Sequence, residues 1–228
     1  MAPHDKLGGE KSSSPPLTAA LALLPQAGAQ TANDVLYKVD QMQKNARDLS
    51  FRLTGRLTMG GAGQNMDVFV KTIPAREVVR MEFRQPQSLS GDVIVSDRKE
   101  VRQYWSMSNQ ITVTGVGNAA RQAGLGLDFS QLGSAANLGS NYNVSLLSTS
   151  NAGGGRLFKL QAKPKTNPQA GTAHVWVTDR GWRPTRVQMF GPQGELMVDL
   201  NVGNFSTNTG VTEAQLRSLP RGARVVQQ

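Results

Sequence analysis

From Ser50 onward apolar and polar side chains alternate with a period of two, and no other feature restricts the fold as strongly. Phe51, Leu53, Leu57 and Met59 alternate with Arg52, Thr54, Arg56 and Thr58, the pattern of a strand with one buried and one wet face. Glycines at 60, 61 and 63 mark a turn, after which Met66, Val68 and Val70 alternate with Asp67 and Lys71, completing a predicted hairpin. Val79, Met81 and Phe83 alternate with Arg80, Glu82 and Arg84 until Gln85-Pro86, where proline ends pairing. Further strands are expected at 93–95, 101–107, 110–113, 142–147, 157–162, 173–177, 186–190 and 196–202. The links between them are short, so the strands should run antiparallel. The chain's 24 glycines and 11 prolines fit the many tight turns this requires. One helix is expected ahead of the strands: Asn33 serves as its N-cap, and Val35, Leu36, Val39, Met42, Ala46 and Leu49 recur at helical spacing. The fold class is therefore α+β, dominated by sheet.

Residues 116–140 break the pattern. Between Arg102 and Arg156 the charged residues are Arg121 and Asp128 alone. Ala119, Ala120 and Ala123, then Phe129, Leu132, Ala135 and Ala136, sit at helical spacing among glycines and predict two short helices with small faces. Two readings are open: a movable lid, or a fixed plug over one sheet face.

Residues 17–29 form a short apolar stretch ending in Ala27-Gly28-Ala29, the small-x-small pattern of a secretory cleavage site. The expected division is thus a targeting segment at 1–29 and a single domain at 30–228. The chain has no cysteine, which excludes disulfides, a thiolate nucleophile and a lipid-modified N-terminal cysteine. The net charge of +9 bears on partners rather than fold. Its arginines, among them Arg52, Arg56, Arg80, Arg84 and Arg102, are spread along strands instead of clustered, and no nucleic-acid-binding motif accompanies them.

Chemistry has few candidates. His174 is the only histidine beyond the leader and stands in a predicted strand between Ala173 and Val175. Asp97 and Asp179 each precede an arginine in a V-x-D-R turn, which turn chemistry explains without catalysis. Gly115-Val116-Gly117-Asn118-Ala119-Ala120 matches G-x-G-x-x-A in letters, but its hairpin surroundings lack the parallel βαβ unit that a dinucleotide site needs. The reading is of a protein with no catalytic residues, no metal site and no cofactor.

Three stretches taken in order resemble a known family. Val70-Lys71-Thr72-Ile73-Pro74 leads into Arg80-Met81-Glu82-Phe83-Arg84-Gln85-Pro86, then Val95-Ser96-Asp97 and Tyr104. The low-charge segment follows. Gly210-Val211-Thr212-Glu213-Ala214-Gln215 and Pro220-Arg221-Gly222-Ala223-Arg224-Val225 close the chain. Their order and spacing are similar to the outer-membrane lipoprotein carrier family, LolA-like periplasmic chaperones. Two departures stand out: Arg98 replaces the usual turn glycine, and Thr72 stands where the carrier has an arginine thought to lock its lid. Arg76 is the nearby latch candidate.

The resemblance implies a strongly curved antiparallel sheet forming an incomplete barrel, with helices closing its concave apolar side. It implies an acyl-chain cavity lined by Leu53, Leu57, Met66, Val68, Val70, Val79, Met81 and Phe83, with Leu125, Leu127, Phe129 and Leu132 from the lid. The implied partners are acylated lipoproteins or lipids, an inner-membrane extraction complex and an outer-envelope acceptor. The implied protein is a soluble periplasmic monomer that shuttles lipoproteins between membranes. The alternative is a lipid-binding or envelope-sensing module of the same fold that carries no protein.

Overall fold

The computed structural model describes residues 30–59, 61–116, 135–166 and 171–228. Its first element, α1 (Ala32–Asn45), opens on a capping box. The Thr31 hydroxyl accepts from the Asp34 N–H at 3.2 Å and the Asp34 carboxylate accepts from the Thr31 N–H at 2.8 Å. The N-cap is therefore Thr31 and not Asn33, because only Thr31 has an acidic residue three positions on to satisfy both unpaired amides.

Twelve strands follow: β1 (Leu49–Met59), β2 (Ala62–Ile73), β3 (Val78–Gln85), β4 (Val93–Ser96), β5 (Glu100–Trp105), β6 (Gln110–Gly115), β7 (Tyr142–Ala152), β8 (Gly155–Pro164), β9 (Thr172–Thr178), β10 (Arg183–Phe190), β11 (Leu196–Thr207) and β12 (Arg224–Gln227). Among the described residues two further short α-helices are α2 (Ala135–Asn141), just before β7, and α3 (Glu213–Arg217), between β11 and β12. The strands form one large, curved, open sheet in the order β12-β6-β5-β4-β3-β2-β1-β11-β10-β9-β8-β7. Each half is a meander of sequential neighbours, and β1 against β11 joins the halves.

One pair departs from the expected antiparallel arrangement. β12 lies parallel to β6, with Arg224 opposite Gln110 and Gln227 opposite Val113. β12 reaches this edge through the segment carrying α3, which leaves β11 and packs on the outer side of β3 and β4.

Alternation along the strands assigns the faces. On the inner face Leu146, Leu160, Val175, Val187 and Leu200 stand opposite one another on five adjacent strands, and the row continues through Gly55 to Met66. Gly55 is required by close approach, since a Cβ there would sit 1.9 Å from the Asp199 carbonyl oxygen. The core on this face has two adjoining parts. Leu53, Leu57, Met66, Val68, Val70, Met81, Phe83, Val198, Leu200 and Val202 form one. In the other, Val35, Leu36 and Val39 of α1 pack onto Phe158, Leu160, Val175, Val177 and Val187.

The outer face is polar where it meets water. Arg52 makes a bidentate pair with Asp67, and Arg186 does the same with Asp199. It becomes apolar at β3 and β4, where Val78, Val93 and Val95 pack under Leu216 of α3.

Candidate functional site

Between the inner sheet face and the helices lies an apolar hollow of about 60 Å³. Leu36 and Val39 of α1 and Leu138 of α2 form its cover. Its floor crosses both halves of the sheet, from Val144 of β7 through Leu160 and Val175, past Val187 and Val202, to Leu53 and Phe51 of β1 and Val79 and Met81 of β3. Gln43 and Thr72 bring the polar side chains, and no charged residue lines the hollow among the described residues.

The sequence-derived site residues divide into three groups. Leu53, Val70, Val79 and Met81 line the hollow. Leu57, Met66, Val68 and Phe83 share the same sheet face but are packed within the adjoining core, each 4% exposed or less. Leu125, Leu127, Phe129 and Leu132 lie outside the described residues, as does most of the predicted lid; of it, Ala135 and Ala136 begin α2.

Much of the lining went unread in the sequence. Val144, Leu160, Ala162, Val175, Val177, Val187 and Val202 carry the same period-two signal as the first-half strands. The family-like motifs lie on β2 to β5 and at the C-terminus and so do not single these residues out. Leu36 and Val39 belong to an apolar helix face in the sequence, but a period of 3.6 does not name the surface a helix packs on.

Arg76 follows β2, largely exposed, and its guanidinium is 4.0 Å from Glu213 of α3. This pairs it with the C-terminal segment. α2 is held from below: Lys165, just beyond β8, donates to the carbonyls of Gly139 and Ser140 at 2.9 and 3.0 Å, pairing a cation with the negative end of that helix.

His174 alternates with Val175 and so faces away from the hollow. Its Nε2 is 3.4 Å from the Gln161 amide nitrogen, and its ring meets the edges of Phe190 and Trp176. Burial, with Lys159 adding to it, holds its pKa below the ordinary imidazole value. Asp97 serves as a turn residue, accepting the N–H groups of Lys99 and Glu100 at 2.8 and 3.0 Å. Gly115 ends β6, which is antiparallel to β5, an arrangement that no dinucleotide-binding turn adopts. The remainder of that motif lies outside the described residues. Among the described residues no helix is long and apolar enough to cross a membrane.

No family model matches the chain, and no curated protein does. Solved structures do. An uncharacterized conserved protein from Thermus thermophilus superposes with a TM-score of 0.65 at 22% identity, over 86% of this chain and 99% of that one. A putative outer membrane lipoprotein-sorting protein domain from Vibrio parahaemolyticus matches at 0.46 and 14% identity, over 82% and 97%. A LolA superfamily protein from Nitrosomonas europaea matches at 0.42 and 14%, over 79% and 94%. The chain has the fold of the Thermus thermophilus protein, and LolA superfamily proteins, the family that its sequence resembles, are among its structural matches.

Proposed function

We propose that this protein is an exported carrier that shields the acyl chains of lipoproteins in the hollow under α1 and α2 and moves them between membranes. The observation carrying the proposal is the hollow itself: an apolar space whose floor spans eight strands and whose cover, among the described residues, is α1 and α2, with no charged side chain lining it. Unfilled apolar space costs contacts on every side, and voids larger than a water molecule are few in a domain.

At about 60 Å³ the hollow is smaller than the cavity of about 150 Å³ that holds benzene. Binding an acyl chain therefore requires the cover to move. α2, a helix of only seven residues, is the part proposed to move. An acyl chain of about fifteen methylenes gains around 12 kcal/mol on leaving water. A membrane is as apolar as the hollow, so transfer between the two is close to neutral, and loading and release both stay accessible. The three lid leucines and one phenylalanine named above, Leu125, Leu127, Leu132 and Phe129, are proposed as further contacts, and Arg76 as a latch acting through the C-terminal segment.

Titration of the purified protein with a fluorescent fatty acid tests the site. Saturable binding is expected, and it should fall with Leu160→Glu, which places a charge on the floor. Absence of saturable binding would refute the proposal. Mass spectrometry of material co-purified from the envelope then separates the cargo classes. Acylated proteins support a lipoprotein carrier, whereas free lipids alone favour a lipid-binding module.

A further inference from the structure

The turn joining β5 and β6 exposes apolar side chains on a rigid support. Met107 is 89% exposed and neighbouring Trp105 is 37% exposed, in a turn of Ser106, Met107, Ser108 and Asn109 where small polar residues are the rule. The turn is held from several directions. Ser106 donates from its N–H and from its hydroxyl to the buried Asp92 carboxylate, both at 2.8 Å, and its hydroxyl also meets the Ser90 carbonyl at 2.9 Å. Trp105 donates through its indole N–H to the Thr112 hydroxyl at 3.0 Å. Asn109 adopts φ 48, and its carbonyl accepts the Arg224 N–H at 3.0 Å. A methionine carried on such a frame is presented to a partner at little further ordering cost.

The charge around the turn is one-sided. Arg224 stands opposite Gln110, which stands opposite Trp105, and its guanidinium donates to the Gln110 amide oxygen at 3.1 Å. Arg221 is exposed three residues earlier. Residues 101–127 and 214–228 contain no aspartate or glutamate, and the nearby Asp92 is 3% exposed and occupied by Ser106.

We propose that this turn is a membrane-docking tip for an anionic phospholipid surface. Met107 enters the layer below the headgroups, Trp105 rests at the interface, and Arg221 and Arg224 meet the phosphates. An exposed apolar side chain flanked by arginines fits a bilayer with anionic lipid, which offers apolar depth and negative charge together. The inference concerns a surface on the outer edge of the sheet and holds whatever occupies the hollow.

Sedimentation of the full chain with vesicles of phosphatidylglycerol and phosphatidylcholine, against phosphatidylcholine alone, tests it. Binding is expected to the mixed vesicles, weaker to the neutral ones and falling with salt. Met107→Glu should reduce binding by about fivefold or more, with the thermal transition unchanged because the side chain has almost no contacts to lose. Arg221→Gln combined with Arg224→Gln should reduce it by about fivefold per charge, while circular dichroism confirms that β12 is retained. Failure of the wild-type chain to sediment at low salt would overturn the proposal, as would variants that bind like wild type. Fatty-acid titration of the same variants keeps the two sites separate, since Met107→Glu should leave it unchanged.

Discussion

Asp48, at 2% exposure, accepts from the Thr209 N–H at 2.8 Å, the Thr209 hydroxyl at 2.7 Å and the Gly210 N–H at 2.9 Å. It thereby fastens the start of β1 to the chain leaving β11. Burial opposes its charge, and these donors outweigh burial and lower its pKa. Replacing it with alanine leaves three donors unmatched, so Asp48→Ala should destabilise the protein by about 3 kcal/mol, read from chemical denaturation. Asp97 works in a related way. Burial again disfavours its charge, but the Arg217 hydrogen bond and the backbone amides of Lys99 and Glu100 dominate and hold its pKa at about 2, below the ordinary 3.8. A carboxyl depressed on folding stabilises the fold above its unfolded pKa and loses that contribution as pH falls through the folded value. Asp97→Asn, which keeps the turn but loses the charge, should therefore lower Tm at pH 7 and approach the wild-type Tm near pH 2. An equal gap at both pH values would contradict this. The turn role of Asp97 is legible from V-x-D-R, because Asx chemistry is local. The partner Arg217 lies 120 positions away, and no local pattern marks it.

The same limit governs the elements. Strand positions are readable because each carries its own alternation, and the order β1 to β6 follows from short links. The partner of a covered face is harder to read. Val78 and Val79 are adjacent apolar residues on β3, so they point to opposite sides and require cover on both; Val79 lines the hollow, and Val78, with no exposure, lies beneath α3. The short apolar run of 93–95 shows that a strand is present without saying that its outer side is buried. β12 is missed for another reason: four residues that pair in parallel with an edge strand give almost no periodic signal, although the resemblance marks the stretch in which they lie. Leu216 is the contact that makes α3 a cover rather than a loop, and it has no exposed surface. Leu216→Ala should cost about 2–5 kcal/mol and raise protease susceptibility of the C-terminal segment first. Fatty-acid binding by the fraction that stays folded should be unchanged, because α3 lies on the face away from the hollow.

At the scale of the molecule, the inner face is a single apolar surface shared by two meanders, and α1 packs on the part of it formed by β8 to β10. Over β1 to β3 the packing is side chain on side chain, with Leu57, Met66, Val68 and Phe83 closed off. Leu53, Val70, Val79 and Met81 on the same strands, with Leu160, Ala162, Val175 and Val177 of β8 and β9, instead line the space beneath α1. This division is invisible in alternation, which records that a side chain points inward but not whether another meets it there. It yields a test in which stability and binding move in opposite directions. Ala162 is 2% exposed and lines the hollow, so Ala162→Leu directs three added carbons into the unfilled space. If the hollow is only a packing defect, filling it raises Tm and has no other effect. If it is the start of an acyl site, the same substitution should hold or raise Tm while weakening fatty-acid binding by about tenfold, the effect of roughly two lost methylene contacts at 0.8 kcal/mol each. A stabilised variant that binds the probe as tightly as wild type would place the acyl chain elsewhere on the protein.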